Sequence, residues 1–368
     1  MNTCNSAVLE FDSKRASLRD GLSAVLQVGN TLWVANDETV SLERLTRLPD
    51  NEHGVCRYGQ HESFPLSDYL ELPAPPSDDA ADFEEVDIEG LACAGGYLWL
   101  VGSHSLKRKK PEREDPADES QRKLAKVSSD GNRYLLARIP LLETASGGSE
   151  LTKHCSLGGK DLFAARLQGD DEGNELTRAL RKDKHLGPFL DIPGKDNGFD
   201  TEGMVVVDER IFIGLRGPVL RGWAVILEIA VEEDEEKPST LRLRDIDPNG
   251  RPYRKHFLQL GGLGIRDLCV QGSDLLILAG PTMDLDGPVT IFRWPGGCKP
   301  EDEAVVSTAA LQRVLQVPYG EDDDHAEGMT LLAPGSGHEH SLLVVYDAAS
   351  QSRKSGESAV TVDILKLP

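Results

Sequence analysis

Four short acidic motifs open apolar runs along this chain: Asp20-Gly21, Glu89-Gly90, Glu202-Gly203 and Glu327-Gly328. Carboxylates gathered at one place repel one another, and the repulsion has three outlets: uptake of a proton, capture of a cation, or neutralisation by basic side chains. A ring of hard oxygen ligands suits calcium or magnesium, which makes Asp20, Glu89, Glu202 and Glu327 candidate metal ligands. Basic groups are also at hand. Arg266 stands in the carboxylate's place in a fifth motif, Gly264-Ile265-Arg266-Asp267, and Arg216 ends the run that Glu202 opens. Lys195, Asn197, Arg216 and Arg266 are therefore candidates to hold an anionic group. His104 follows the second run and His325 immediately precedes Glu327, so with Arg216 they form the candidate catalytic set. The alternative is purely structural: ion pairs that tie crowded strands together, with Gly90, Gly203 and Gly328 placed where backbones approach closely.

The elements that must position these residues are hairpins. Met204 to Val207, a polar turn, and Ile211 to Leu215 form one, so Glu202 at its entry and Arg216 at its exit are expected to be neighbours. Equivalent hairpins follow Asp20, Glu89, Arg266 and Glu327, and their exits hold Asp37, Ser103, Gly280 and Asp347. Such repetition of short strands with glycine-rich turns predicts an all-β β-propeller, with both columns converging on one mouth of the central channel. Five blades are favoured and six are the alternative, because the interval from Glu89 to Glu202 is the longest. Two insertions account for that length: a charged loop over 106–126 and a partly helical segment over 150–195. In the second, Leu176, Ala179 and Leu180 have helical spacing and Asn174 is a candidate cap. The strand Ala7 to Phe11 is expected to be the outer strand of the blade that begins at Glu327, closing the ring. Residues 1–368 then form a single propeller domain. The basic cluster Lys107 to Lys110 reads as a solvated loop, Pro73 to Glu85 as a linker, and Asp284-Leu285-Asp286-Gly287 as a plain turn.

A formal net charge of −22 argues against nucleic acid and anionic lipid as partners. The N-terminus has no basic and apolar leader pattern, and the run from Leu91 to Gly102 is too short to span a bilayer, so a cytoplasmic protein with no membrane contact is expected. The six cysteines have no paired spacing, and a reduced set fits, with Cys93 and Cys269 in strands as small buried hydrophobes. No P-loop, nucleophile elbow, dinucleotide fingerprint or zinc spacing occurs.

The segments Pro193-Gly194-Lys195-Asp196-Asn197-Gly198-Phe199-Asp200-Thr201-Glu202-Gly203, Gly214-Leu215-Arg216-Gly217-Pro218, Gly264-Ile265-Arg266-Asp267-Leu268 and Ala279-Gly280-Pro281 resemble a bacterial family catalogued as domain of unknown function 3616. The resemblance runs from about Asp20 to Leu367. More distantly, the acidic openings at Asp87, Glu89, Asp200, Glu202 and Glu327 are similar to those of esterase-like, phytase-type β-propellers. That similarity implies a cation-dependent hydrolase of phosphoesters or esters, and Arg266 and the shortened motif at Asp20 depart from its pattern. Two functions are thus expected of the mouth: binding of a small anionic molecule or partner protein, or divalent-cation-dependent hydrolysis.

Overall fold

The computed structural model describes residues 5–50, 55–74, 84–145, 147–247, 249–283, 285–333 and 338–368. Cys4, Asp284 and most of the Pro73 to Glu85 linker lie outside the described residues. The strands that organise the molecule are β1 (Asn5–Glu10), β2 (Leu22–Val28), β3 (Thr31–Asn36), β4 (Ser41–Leu48), β5 (Cys56–Pro65), β6 (Ile88–Ala94), β7 (Tyr97–Gly102), β8 (Leu136–Glu143), β9 (Asp200–Val207), β10 (Arg210–Gly217), β11 (Ala224–Glu233), β12 (Tyr253–Leu258), β13 (Gly264–Gln271), β14 (Asp274–Gly280), β15 (Val289–Trp294), β16 (Gln312–Val317), β17 (His325–Leu331), β18 (Ser341–Asp347) and β19 (Ala359–Lys366). The result is an all-β, β-propeller-like fold.

Each expected hairpin forms, and each continues as an antiparallel meander: β2-β3-β4-β5, β6-β7-β8, β9-β10-β11-β12, β13-β14-β15-β16 and β17-β18-β19. β1 pairs antiparallel with β19, from Asn5 opposite Ile364 to Glu10 opposite Ala359. The second strand of a hairpin is buried along its length, as in β3 and β7. Such a strand has a sheet neighbour on both faces, which is why its sequence reads as an unbroken apolar run rather than an alternation.

Apolar clusters fill the spaces between successive meanders. Trp33 and Leu42 meet Leu91 and Leu98; Trp99 and Leu136 meet Ile213 and Val225; Phe212 and Ile226 meet Ile265 and Phe292. Leu278 and Ile291 meet Met329 and Val344, and Val345 and Ile364 meet Leu22 and Val34. First strands crowd one another along the same circuit. β2 contacts β6, β6 contacts β9, β9 contacts β13, β13 contacts β17, and β17 contacts β2.

The crowding explains two of the glycines. A Cβ on Gly90 would lie 2.8 Å from the Met204 nitrogen, and one on Gly203, whose φ is +75°, would lie 2.4 Å from the Asp267 Cα. Gly203→Ala is expected to lower the unfolding free energy by about 3 kcal/mol, through both the positive φ and the backbone clash. Urea denaturation checks this, and an unchanged midpoint would show that the strands have room to spare.

The two insertions are more ordered than the sequence suggests. The charged segment contains α1 (Ala117–Ala125), flanked by a short pairing of Lys107–Arg108 with Val127–Ser128. In the second, α2 (Glu175–Leu180) is shorter than its spacing implied, and Asn174 does cap it, accepting from the Thr177 N–H at 3.0 Å. Cys93 is exposed, which corrects its reading as a buried hydrophobe, and Cys269 is half-buried. Among the described residues no helix is long and apolar enough to cross a membrane.

Candidate functional site: a charged cavity at the strand entries

All five hairpins carry a β-bulge at the same place in the first strand. Register slips between Leu22 and Ala24, Ile88 and Gly90, Thr201 and Met204, Ile265 and Asp267, and Ala326 and Gly328. Bulges re-aim side chains, and the residues they displace are Ser23, Glu89, Glu202 with Gly203, Arg266 and Glu327. This corrects the first member of the column. Asp20 ends a 3-10 helix before β2, is half exposed, and pairs with Lys354 at 2.6 Å. Ser23 takes its place, fully buried, and donates to the Ile88 carbonyl at 2.6 Å.

Beneath the surface, arginines neutralise most of the acids. Arg216 bridges Asp200 and Glu202, the latter at 2.9 Å, as its place at the hairpin exit predicts. Arg266 bridges Glu202 at 3.4 Å and Glu327 at 2.8 Å, and donates to the Pro281 carbonyl at 3.0 Å. Arg133, from the turn before β8, pairs with Asp87 at 2.7 Å and donates to Ser105 at 2.9 Å. Burial pushes Glu202 and Glu327 towards their neutral forms, and these guanidiniums oppose it.

Above this network lies a cavity of about 580 Å³. Its lining mixes acids, among them Asp37, Asp87, Glu89, Glu327 and Asp347, with the basic residues Arg133, Lys195, Arg216 and the cluster from Lys107 to Lys110. The basic cluster is thus no free loop, as its composition suggested; it borders the cavity, with Leu124 of α1 beside it. Arg108 fastens this cover to the loop after Pro193 through Asp196 at 2.7 Å. Glu89 is buried and has no hydrogen bond or ion pair among the described residues. Burial, then Asp87, Glu202 and Glu327, hold its carboxyl well above the usual range, against Arg216. Asp37 is pushed up to about 8 by burial, then by Asp347, Glu327 and Asp87.

Of the residues singled out from sequence, Glu89, Glu327, Lys195 and Arg216 line this cavity, with Glu202 and Arg266 directly behind. The others lie elsewhere. His104 is buried, its Nδ1 donates to the Gly102 carbonyl at 2.7 Å and its Nε2 accepts from Asn174 at 2.7 Å. Burial pushes it down to about 4, so it is a neutral strut rather than a base or ligand. His325 pairs with Asp286 at 3.1 Å beside a separate small recess. Asn197 turns its oxygen to the Val219 N–H at 2.9 Å, a turn-stabilising contact. Asp37 and Asp347, which also line the cavity, stand in the exit column of the sequence, whereas Arg133 carries no sequence signal. Among the described residues no group of three or more His, Cys, Asp or Glu is placed to hold a metal ion.

The fold and the site define a β-propeller-like protein with a charged cavity where its bulged strands begin. The chain belongs to the family described as Protein of unknown function (DUF3616), which matches residues 21–363. No curated protein matches the sequence. Among solved structures it is similar to the glutaminyl cyclase of Myxococcus xanthus, at 8% identity and a TM-score of 0.38 over 99% of each chain. It is also similar to the PQQ-bound aldose sugar dehydrogenase of Streptomyces coelicolor, at 12% identity and a TM-score of 0.35 over 99% of each chain. The endosialidase of phage phi92 matches at 8% identity and a TM-score of 0.38, over 99% of this chain and 70% of that one. At such identities and scores no activity carries over.

Proposed function

We propose that the chain is a five-bladed β-propeller, closed by β1 on the last blade, that binds a small anionic molecule in the cavity at its mouth. Support for the blade count comes from five bulged hairpins and from the circuit of first strands that returns from β17 to β2. Support for closure comes from the pairing of β1 with β19. The observation that carries the binding reading is the set of basic residues in the lining of the cavity. Lys195 lines it with no carboxylate within ion-pair distance among the described residues, beside the lysines of the cover. A small molecule suits the site better than a protein, because the volume of the cavity falls in the range of ligand pockets.

Glucose 6-phosphate is a suitable probe of that size and charge. Calorimetric titration should detect its binding, and Lys195→Ala should weaken it by about tenfold, the worth of one charge-assisted hydrogen bond. Equal affinity in wild type and variant would remove Lys195 from the site.

A divalent-cation-dependent hydrolase of phosphoesters or esters is the second reading. Asp37 favours it, since a carboxyl near 8 beside a cavity is suited to donate a proton to a leaving group. Turnover of a phosphoester or ester panel that requires calcium or magnesium would select it over simple binding.

A further inference from the structure

The acids of the mouth fall into two groups. Asp87, Asp200, Glu202 and Glu327 each have a guanidinium, supplied by Arg133, Arg216 or Arg266. Glu89, Asp37 and Asp347 have none, and all three face the cavity. Glu89 is 7% exposed and makes no polar contact among the described residues. Among the described residues the buried Oδ1 of Asp37 has no partner, and the Asp347 side chain accepts only the Ala348 N–H at 2.6 Å. A fold that supplies arginines to the neighbouring acids leaves these three carboxyls without a basic partner where a ligand would meet them. Burying such groups without a partner is costly, and a bound cation relieves that cost. The carboxylates do not converge as a metal site requires. An ammonium group presents three diverging N–H donors with no fixed coordination geometry, so it can satisfy acceptors that do not converge on one point.

We propose that Glu89, Asp37 and Asp347 form a subsite for an organic ammonium group, so that the ligand is zwitterionic, its amine on these carboxyls and its acidic group towards Lys195. This inference rests on the anion-binding reading above and adds the second half of the ligand. The raised proton affinity of Glu89 and Asp37 accords with it, since bringing an ammonium onto protonated carboxyls would release protons to the buffer.

The test compares glucosamine 6-phosphate with glucose 6-phosphate, which differ by one ammonium in place of a hydroxyl, by calorimetry at pH 7. Wild type should bind the amine at least about tenfold more tightly, with an enthalpy that depends on the buffer's ionisation heat. Glu89→Gln, nearly isosteric, should bring the ratio close to one, and Asp37→Asn should reduce it. Equal affinity of wild type for the two compounds, or an undiminished ratio in Glu89→Gln, overturns the subsite while leaving the anion site standing. Failure of wild type to bind either compound overturns both readings. Stabilisation by calcium or magnesium that Glu89→Gln removes would assign these carboxylates to a metal and likewise overturn the ammonium subsite.

Discussion

Arg216→Met is expected to lower the unfolding free energy by about 3–5 kcal/mol at pH 7. The guanidinium lies between Asp200 and Glu202, both buried, and also offsets the nearby charges of Glu89 and Glu327. Methionine fills much of the volume, so the loss is electrostatic rather than a cavity effect. Two buried carboxylates are left with reduced compensation, Glu202 keeping only Arg266 and Asp200 losing its direct partner. Because orphaned acids can take up protons, the deficit should shrink as pH falls from 7 to 5. Urea denaturation at both pH values measures it. A loss at pH 7 that is small, or that grows on acidification, would mean that the arginine does not hold the inner strands together through these acids.

The second large effect is the slope of stability with pH. Asp37 and Glu89 bind protons more tightly folded than unfolded. Between the ordinary carboxylate range and the raised folded value, the native state therefore holds protons that the unfolded chain has released. The contribution to stability is complete below about pH 4 and is lost as pH rises through about 8, the value for Asp37. At 1.36 kcal/mol per pKa unit the Asp37 contribution amounts to about 6 kcal/mol at most. Wild type should thus weaken steadily from pH 5 to pH 9. Asp37→Asn, which cannot ionise, should flatten that descent and exceed wild type in stability at pH 9. Parallel profiles for the two proteins would show that Asp37 is not held in its neutral form.

Much of the frame was legible because a hairpin writes itself locally. Turn residues between apolar runs located all five hairpins, and antiparallel geometry alone placed Arg216 beside Glu202. The pairing of the first strand with the last followed from the rule that an open edge must be covered. Bulges are less legible, since one extra residue leaves the apolar pattern almost unchanged. Asp20 was therefore aligned by its resemblance to an Asp-Gly pair, whereas the bulge selects Ser23. The helical cover over the cavity was hidden for a different reason. Its sequence is as polar as a solvated loop, and it is tertiary contacts, Arg108 with Asp196 and Lys107 with Glu85 and Asp130, that bring Lys107 to Lys110 to the mouth. In the sequence His104 is a lone histidine just after the exit column. Its burial and its two hydrogen bonds, one of them to an asparagine seventy positions away in sequence, depend on the second insertion folding back.

The central claim is that the cavity holds an anion against Lys195. Selenate, whose selenium scatters anomalously, tests it directly when soaked into crystals of the full chain at low ionic strength. The expected result is a selenium peak inside the cavity beside Lys195, absent from crystals of Lys195→Ala soaked in the same way. Selenate bound elsewhere on the surface while the cavity stays clear would contradict it.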